Sequence, residues 1–207
     1  MLLVRWTALL RLAGLLVGTW AFGPGPALAG EGWPEFRSRL LEFHERSIAQ
    51  SPVRVEQGAV LPYAGLAAKD FFYQDIDYYD RATGRLISHI RRSPEPPYQH
   101  YEIEVYVYDA QGRVSRDFAA LTLPWQLAHP ARTFINLHDY PGKLHAIRQF
   151  DASGEIIYES CVGSLEGRPL NLQLEAYEIG PKVRAMPDYQ ACFARLPLQA
   201  GAYRVPH

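Results

Sequence analysis

Three short stretches of this chain share one grammar, and they constrain its fold more than any other feature. They are Tyr79-Asp80-Arg81-Ala82-Thr83-Gly84-Arg85-Leu86, Tyr108-Asp109-Ala110-Gln111-Gly112-Arg113-Val114 and Phe150-Asp151-Ala152-Ser153-Gly154-Glu155-Ile156. In each, an aromatic residue closes a strand and Asp turns the chain by hydrogen-bonding its own backbone. Gly then takes the positive φ that other residues resist, and an aliphatic residue resumes pairing. Each stretch therefore predicts a β-hairpin. Asp139-Tyr140-Pro141-Gly142, lying between residues 134–138 and 143–150, predicts a fourth. Hairpins joined by short links build an up-and-down antiparallel sheet, here of about six to eight strands.

A sheet of that kind needs a cover for one face. In residues 101–108, Tyr101, Ile103, Val105 and Val107 point one way while Glu102, Glu104, Tyr106 and Tyr108 point the other, giving an apolar face and a wet one. Residues 34–50 supply a candidate cover. Pro34 suits a first helical position, and Phe36, Leu40 and Phe43 recur at helical spacing. Arg37, Arg39, Glu42, Glu45 and Arg46 occupy the opposite side, and Ser51-Pro52 ends the run. The predicted class is α+β: an N-terminal amphipathic helix packed on a curved antiparallel meander sheet. Residues 52–70 show no clean period and read as loop, with room for one short strand at 53–55. Pro94, Pro96 and Pro97 stiffen the link between the first two hairpins. In residues 170–179, Leu170, Leu172 and Leu174 alternate as a strand would, although the composition tolerates a helix.

The aromatic-Asp-x-x-Gly-x-aliphatic turns resemble the hairpins of YD-repeat shell proteins over these three stretches. The steps from Tyr79 to Tyr108 to Phe150 are 29 and 42 residues, so the resemblance implies shared turn chemistry and not a regular repeat.

The N-terminus addresses the chain. Arg5 and Arg11 precede an apolar stretch at 12–22, a Gly23-Pro24-Gly25-Pro26 breaker and Ala27-Leu28-Ala29, a small-x-small cleavage pattern before Gly30. The apolar stretch falls short of the roughly 20 residues of a spanning helix, which predicts cleavage and no stable membrane insertion. A mature domain of residues 30–207 in the bacterial periplasm, or secreted, is the expectation. It has 178 of the 207 residues, the size of one domain. Removing Arg5 and Arg11 from the 21 Lys and Arg leaves 19 against 22 Asp and Glu, a net charge of −3. That balance argues against nucleic acid and anionic membrane as partners, since both require clustered cations. Cys161 and Cys192 both lie in the mature part, and in an oxidising compartment such a pair forms a disulfide. In the chain-entropy account a closed loop of this length contributes roughly 3 to 4 kcal/mol.

Signals for chemistry are sparse. His138 and His145 flank the fourth turn; with a four-residue loop His138 opposes Lys143 and His145 opposes Asn136, placing both imidazoles diagonally on one face. Asp139 could add a ligand, but no second carboxylate or histidine in that segment completes a tetrahedral metal set, and no cofactor is expected. Asp75 and Asp77 share a strand face beside Tyr73 and Tyr79, at a spacing that suits a carboxylate pair, but they lie side by side instead of flanking a bond. Gly163-Ser164-Leu165-Glu166-Gly167 lacks nucleophile-elbow spacing, and there is no phosphate loop or zincin pair. The positive hint is aromatic. Tyr78, Tyr79, Tyr98, Tyr101, Tyr106 and Tyr108 gather in the first two hairpins and the proline loop, and tyrosine combines contact area with a polar tip. The expectation is non-catalytic binding of a protein or an envelope polysaccharide through Tyr78, Tyr79, Tyr101, Tyr106, Tyr108, Asp75 and Asp77. The alternatives are a carrier of a lipophilic molecule between helix and sheet, and a hydrolase in which a group from another strand converges on Asp75 and Asp77.

Overall fold

The computed structural model describes residues 33–63, 71–127 and 131–206. The expected leader and cleavage site lie outside the described residues. The chain forms mostly antiparallel sheet with few helices and one disulfide. Helix α1 (Trp33–Gln50) comes first, followed by β1 (Val53–Gln57), β2 (Leu61–Pro62), β3 (Phe72–Asp80), β4 (Leu86–Arg92), β5 (His100–Tyr108), β6 (Val114–Leu121), β7 (Arg132–Asp139), β8 (Lys143–Phe150), β9 (Ile156–Leu165) and β10 (Arg168–Glu175). Two short helices, α2 (Pro181–Arg184) and α3 (Pro187–Phe193), lie near the C-terminus.

The sheet has 10 strands in the order β1-β3-β4-β5-β6-β7-β8-β9-β10, with β2 pairing only with β3. From β3 onward every strand pairs with its neighbour in sequence, as the turn grammar requires. Gly84, Gly112 and Gly154 all hold positive φ. Asp109 Oδ1 accepts hydrogen bonds from the backbone N–H of Gln111 and Arg113, each at 2.9 Å, the self-bonding that makes Asp a turn former. The strand count exceeds the expected six to eight because β1, β2 and β10 extend both sides of the meander. Residues 170–179 divide: the alternating leucines belong to β10, and Ala176–Glu178 form a 3-10 turn.

Period two sorts the side chains. Ile76, Ile90, Ile103, Phe118, Ile135, Phe150, Cys161 and Leu174 lie on one face and are buried. Phe36 and Leu40 of α1, and Tyr189 and Phe193 of α3, join those from Ile90 to Leu174 in one buried cluster. Cys161 and Cys192 are bonded with their Cα atoms 6.0 Å apart, tying α3 to β9. Beside them Arg148 and Glu159, opposed on β8 and β9 and essentially without exposure, form a buried ion pair. Arg148 Nη2 donates to Tyr189 Oη at 3.0 Å, Tyr189 Oη donates to Glu159 Oε1 at 3.0 Å, and Arg148 Nη1 donates to the carbonyls of Leu196 and Pro197. The C-terminal segment is therefore held by the disulfide and this charged cluster, together with Arg195 on Asp139, Asp188 on Arg168 and Arg204 on the Ala152 carbonyl.

Candidate functional site

The opposite face of the sheet carries the polar side chains, and register decides which of them meet. On β3, Tyr73, Asp75, Asp77 and Tyr79 point to this face, while Tyr78 alternates to the apolar side and meets His44 edge-on, with ring centroids 4.6 Å apart. Tyr101 is 3 % exposed and packs edge-on against Tyr63. Thus Tyr78 and Tyr101 do not share a surface with Tyr79, Tyr106, Tyr108, Asp75 and Asp77. Adjacent residues on a strand face opposite ways, and counting tyrosines without tracking that alternation merges two faces.

Two polar clusters result. In the first, Asp75 faces Arg91, Asp77 faces His89, His89 faces Glu104 and Arg91 faces Glu102. Arg91 Nε and Nη2 donate to the two oxygens of Asp75 at 2.8 and 3.1 Å, and Nη1 lies 3.2 Å from Glu102. His89 Nδ1 is 2.7 Å from Asp77, and its Nε2 is 3.6 Å from Asp75. The guanidinium of Arg91 stands 4.4 Å over the Tyr73 ring, and that of Arg54 stands 4.3 Å over Tyr79. Burial pushes the Glu102 carboxyl above its ordinary value, opposed by Arg91. Tyr106 donates its hydroxyl to Glu104; burial and then that acceptor raise its phenol. Tyr108 donates to the carbonyl of Leu86 at 2.8 Å.

The second cluster spans β6 to β8. Asn136 Nδ2 donates to Asp117 Oδ1 at 2.6 Å, and Gln149 Nε2 donates to Asn136 Oδ1 at 2.9 Å. His138 Nε2 lies 2.5 Å from Asp117 Oδ2, and its Nδ1 lies 2.9 Å from His145 Nε2. The Tyr140 ring stacks on His145 at 4.6 Å. The histidines do share a face diagonally, but with other partners than the turn length predicts: His138 opposes Ile147 and Asn136 opposes Gln149. The last β7–β8 pair is Asp139 with Ala146, so the hairpin opens wider than a four-residue loop. If Asp117 accepts the His138 Nε2 proton, His138 Nδ1 accepts from His145 Nε2–H, which leaves His145 Nδ1 as an acceptor. Burial, and then His138, lower the His145 imidazole from its ordinary value.

No sequence signal could have assembled Asp117 with His138, because they come from strands whose pairing is set only by the β6–β7 register. Among the described residues no group of three or more His, Cys, Asp or Glu is placed to hold a metal ion, and no helix is long and apolar enough to cross a membrane. Comparison with protein-family models, with curated proteins and with solved structures gave no match.

Proposed function

We propose that this chain is an exported, non-catalytic binding protein that meets a partner protein through the polar face of β1 and β3–β6. One observation carries the reading. That face holds six carboxylates, Glu56, Asp75, Asp77, Glu102, Glu104 and Asp117, against two guanidiniums, Arg54 and Arg91, with Tyr73, Tyr79 and Tyr106 among them. An acidic surface studded with amphipathic rings selects a basic segment, and steers it most strongly at low salt. In this reading α1 is the cover of the apolar face and leaves the acidic face open. Export rests on the leader pattern and is supported by the Cys161–Cys192 disulfide, which oxidising compartments favour. Mass analysis of the exported protein is expected to give Gly30 as its first residue; an uncleaved Met1 would refute the leader.

The hydrolase alternative has one observation in its favour, the convergence of His89 on Asp75 and Asp77. Against it, Arg91 occupies both oxygens of Asp75, and the two acids remain neighbours on one strand. The carrier alternative has less support, since the side facing the helices bears His44, Ser88, Arg148 and Glu159.

The test is capture from an envelope extract by wild type and by the triple variant Asp77→Asn, Glu104→Gln, Asp117→Asn. Wild type is expected to retain a basic protein that is released as salt rises, and the variant is expected to lose it. Equal capture by both would sink the reading.

A further inference from the structure

A hollow of about 390 Å³ lies on the polar face beyond the acidic patch, along the cross-strand row that runs from Asp117 through Asn136 to Gln149. Four successive strands build it: Arg132 and Phe134 from β7, Gln149 from β8, Tyr158 from β9 and Glu175 from β10. Gln149 opposes Tyr158 and Tyr158 opposes Glu175, so these three form one cross-strand row. Phe134 and Arg132 lie two and four residues from Asn136, the residue opposite Gln149, and so point to the same face. The concavity has a local cause. The β8–β9 register slips between Gln149 and Phe150, and such a bulge bends the strand and increases its twist where the row sits.

We propose that this hollow binds a neutral hexopyranose unit. Its volume is at the small end of ligand pockets, enough for one sugar ring and little more. Two half-buried aromatic rings, Phe134 and Tyr158, offer flat apolar area to the C–H faces of such a ring. Between them stand groups suited to hydroxyls. Gln149 spends its amide N–H on Asn136 and keeps its carbonyl oxygen. The Arg132 guanidinium and the Tyr158 hydroxyl have no hydrogen-bond partner among the described residues. Charge argues against an anionic ligand. Asp151 at the rim is committed to its own turn, where Oδ1 accepts from Ser153 Oγ at 2.5 Å and from Glu155 N–H at 3.1 Å. The lining thus sets Arg132 against Asp151 and Glu175, one net negative charge, which disfavours an anionic sugar.

The site shares no residue with the acidic patch, and its test stands apart from that of the proposed partner. Saturation-transfer NMR and calorimetry on the disulfide-bonded protein would use glucose, galactose, mannose and N-acetylglucosamine, their linear oligomers, and glucuronic acid and glucosamine as charged controls. Saturable binding of a neutral sugar is expected, weakened about tenfold or more by Tyr158→Ala and by Gln149→Ala. Tyr158→Phe, which keeps the ring and the packing, is expected to lose only part of it. The double variant Asp77→Asn, Glu104→Gln, which leaves the Asp117–Asn136–Gln149 hydrogen bonds intact, is expected to bind the sugar normally. Free sugar bound as tightly as its oligomers assigns a monosaccharide ligand, and tighter oligomer binding assigns the end of a polysaccharide. Absence of saturable binding by every neutral sugar and oligomer, preference for a charged control, or unchanged binding by both Gln149→Ala and a folded Tyr158→Ala would overturn the proposal.

Discussion

Two single residues make demands that their neighbours cannot relax. Gly163, within β9, holds φ at +141°, and a Cβ there would sit 2.2 Å from the Lys143 carbonyl oxygen and 2.9 Å from Leu144 Cα. Those atoms are backbone of the paired strand and cannot swing aside. Gly163→Ala is therefore expected to lower stability by about 2 kcal/mol or more, read from the denaturant midpoint. Gly112 differs, because its added Cβ would meet only the movable end of Arg85, so Gly112→Ala costs mainly its positive φ, about 1 kcal/mol. His44 is the pH-sensitive residue. It is 6 % exposed, its Nδ1 lies 2.7 Å from Ser88 Oγ, and burial, with His100 nearby, lowers its imidazole to about 4. The unfolded chain takes up this proton near pH 6.5 and the folded chain only near 4. The contribution is thus complete above pH 6.5 and falls away as pH drops toward 4, by about 3 kcal/mol at most. His44→Gln is expected to flatten the stability–pH curve across that window; an unchanged slope would show that other groups set it.

At the level of elements, the C-terminal segment depends on a cluster with high stakes. Arg148→Ala leaves Glu159 charged, buried and unpaired and strips the carbonyls of Leu196 and Pro197 of their donor, so a loss of about 3 to 5 kcal/mol is expected. Arg148→Met with Glu159→Leu is expected to recover much of it, since an apolar pair of similar volume carries no desolvation cost. If the double variant proves no more stable than Arg148→Ala, packing and not charge governs the site. This cluster was invisible in the sequence. Leu144, Ala146 and Phe150 mark the apolar face of β8, and an arginine among them reads as a break in the pattern instead of a partner for an acid eleven residues away. The hairpins were legible for the opposite reason, because Asp and Gly fix a turn within a few residues of chain. The disulfide was legible from the count of two cysteines. The candidate site was half legible: alternation alone places Asp75, Asp77, Tyr79, Tyr106 and Tyr108 on the polar face, whereas Tyr78 and Tyr101, grouped with them as tyrosines, lie on the apolar side. His89, Arg91 and Asp117 needed a register that only the folded sheet supplies.

Across the whole molecule, each strand from β3 to β10 touches mainly its neighbours in sequence, so the sheet behaves as a one-dimensional array with nearest-neighbour coupling. Long-range ties are unevenly placed. The Cys161–Cys192 bond and the Arg148 cluster both act on β8 and β9, whereas β4 to β6 carry no covalent tie. Loss of the disulfide should therefore be felt locally before it is felt globally. Reduction, or Cys192→Ser, is expected to cost about 2 to 5 kcal/mol overall. In hydrogen exchange under native conditions, α3 and the amides of β8 to β10 are expected to lose protection first, while those of β4 to β6 keep theirs until global unfolding. The opening of a strand exposes only the next ladder, so protection should fall off stepwise from β9 toward β6. A uniform loss across all ten strands would show instead that the buried cluster, which runs from Ile90 to Leu174, couples the sheet as one unit and that the array picture is wrong.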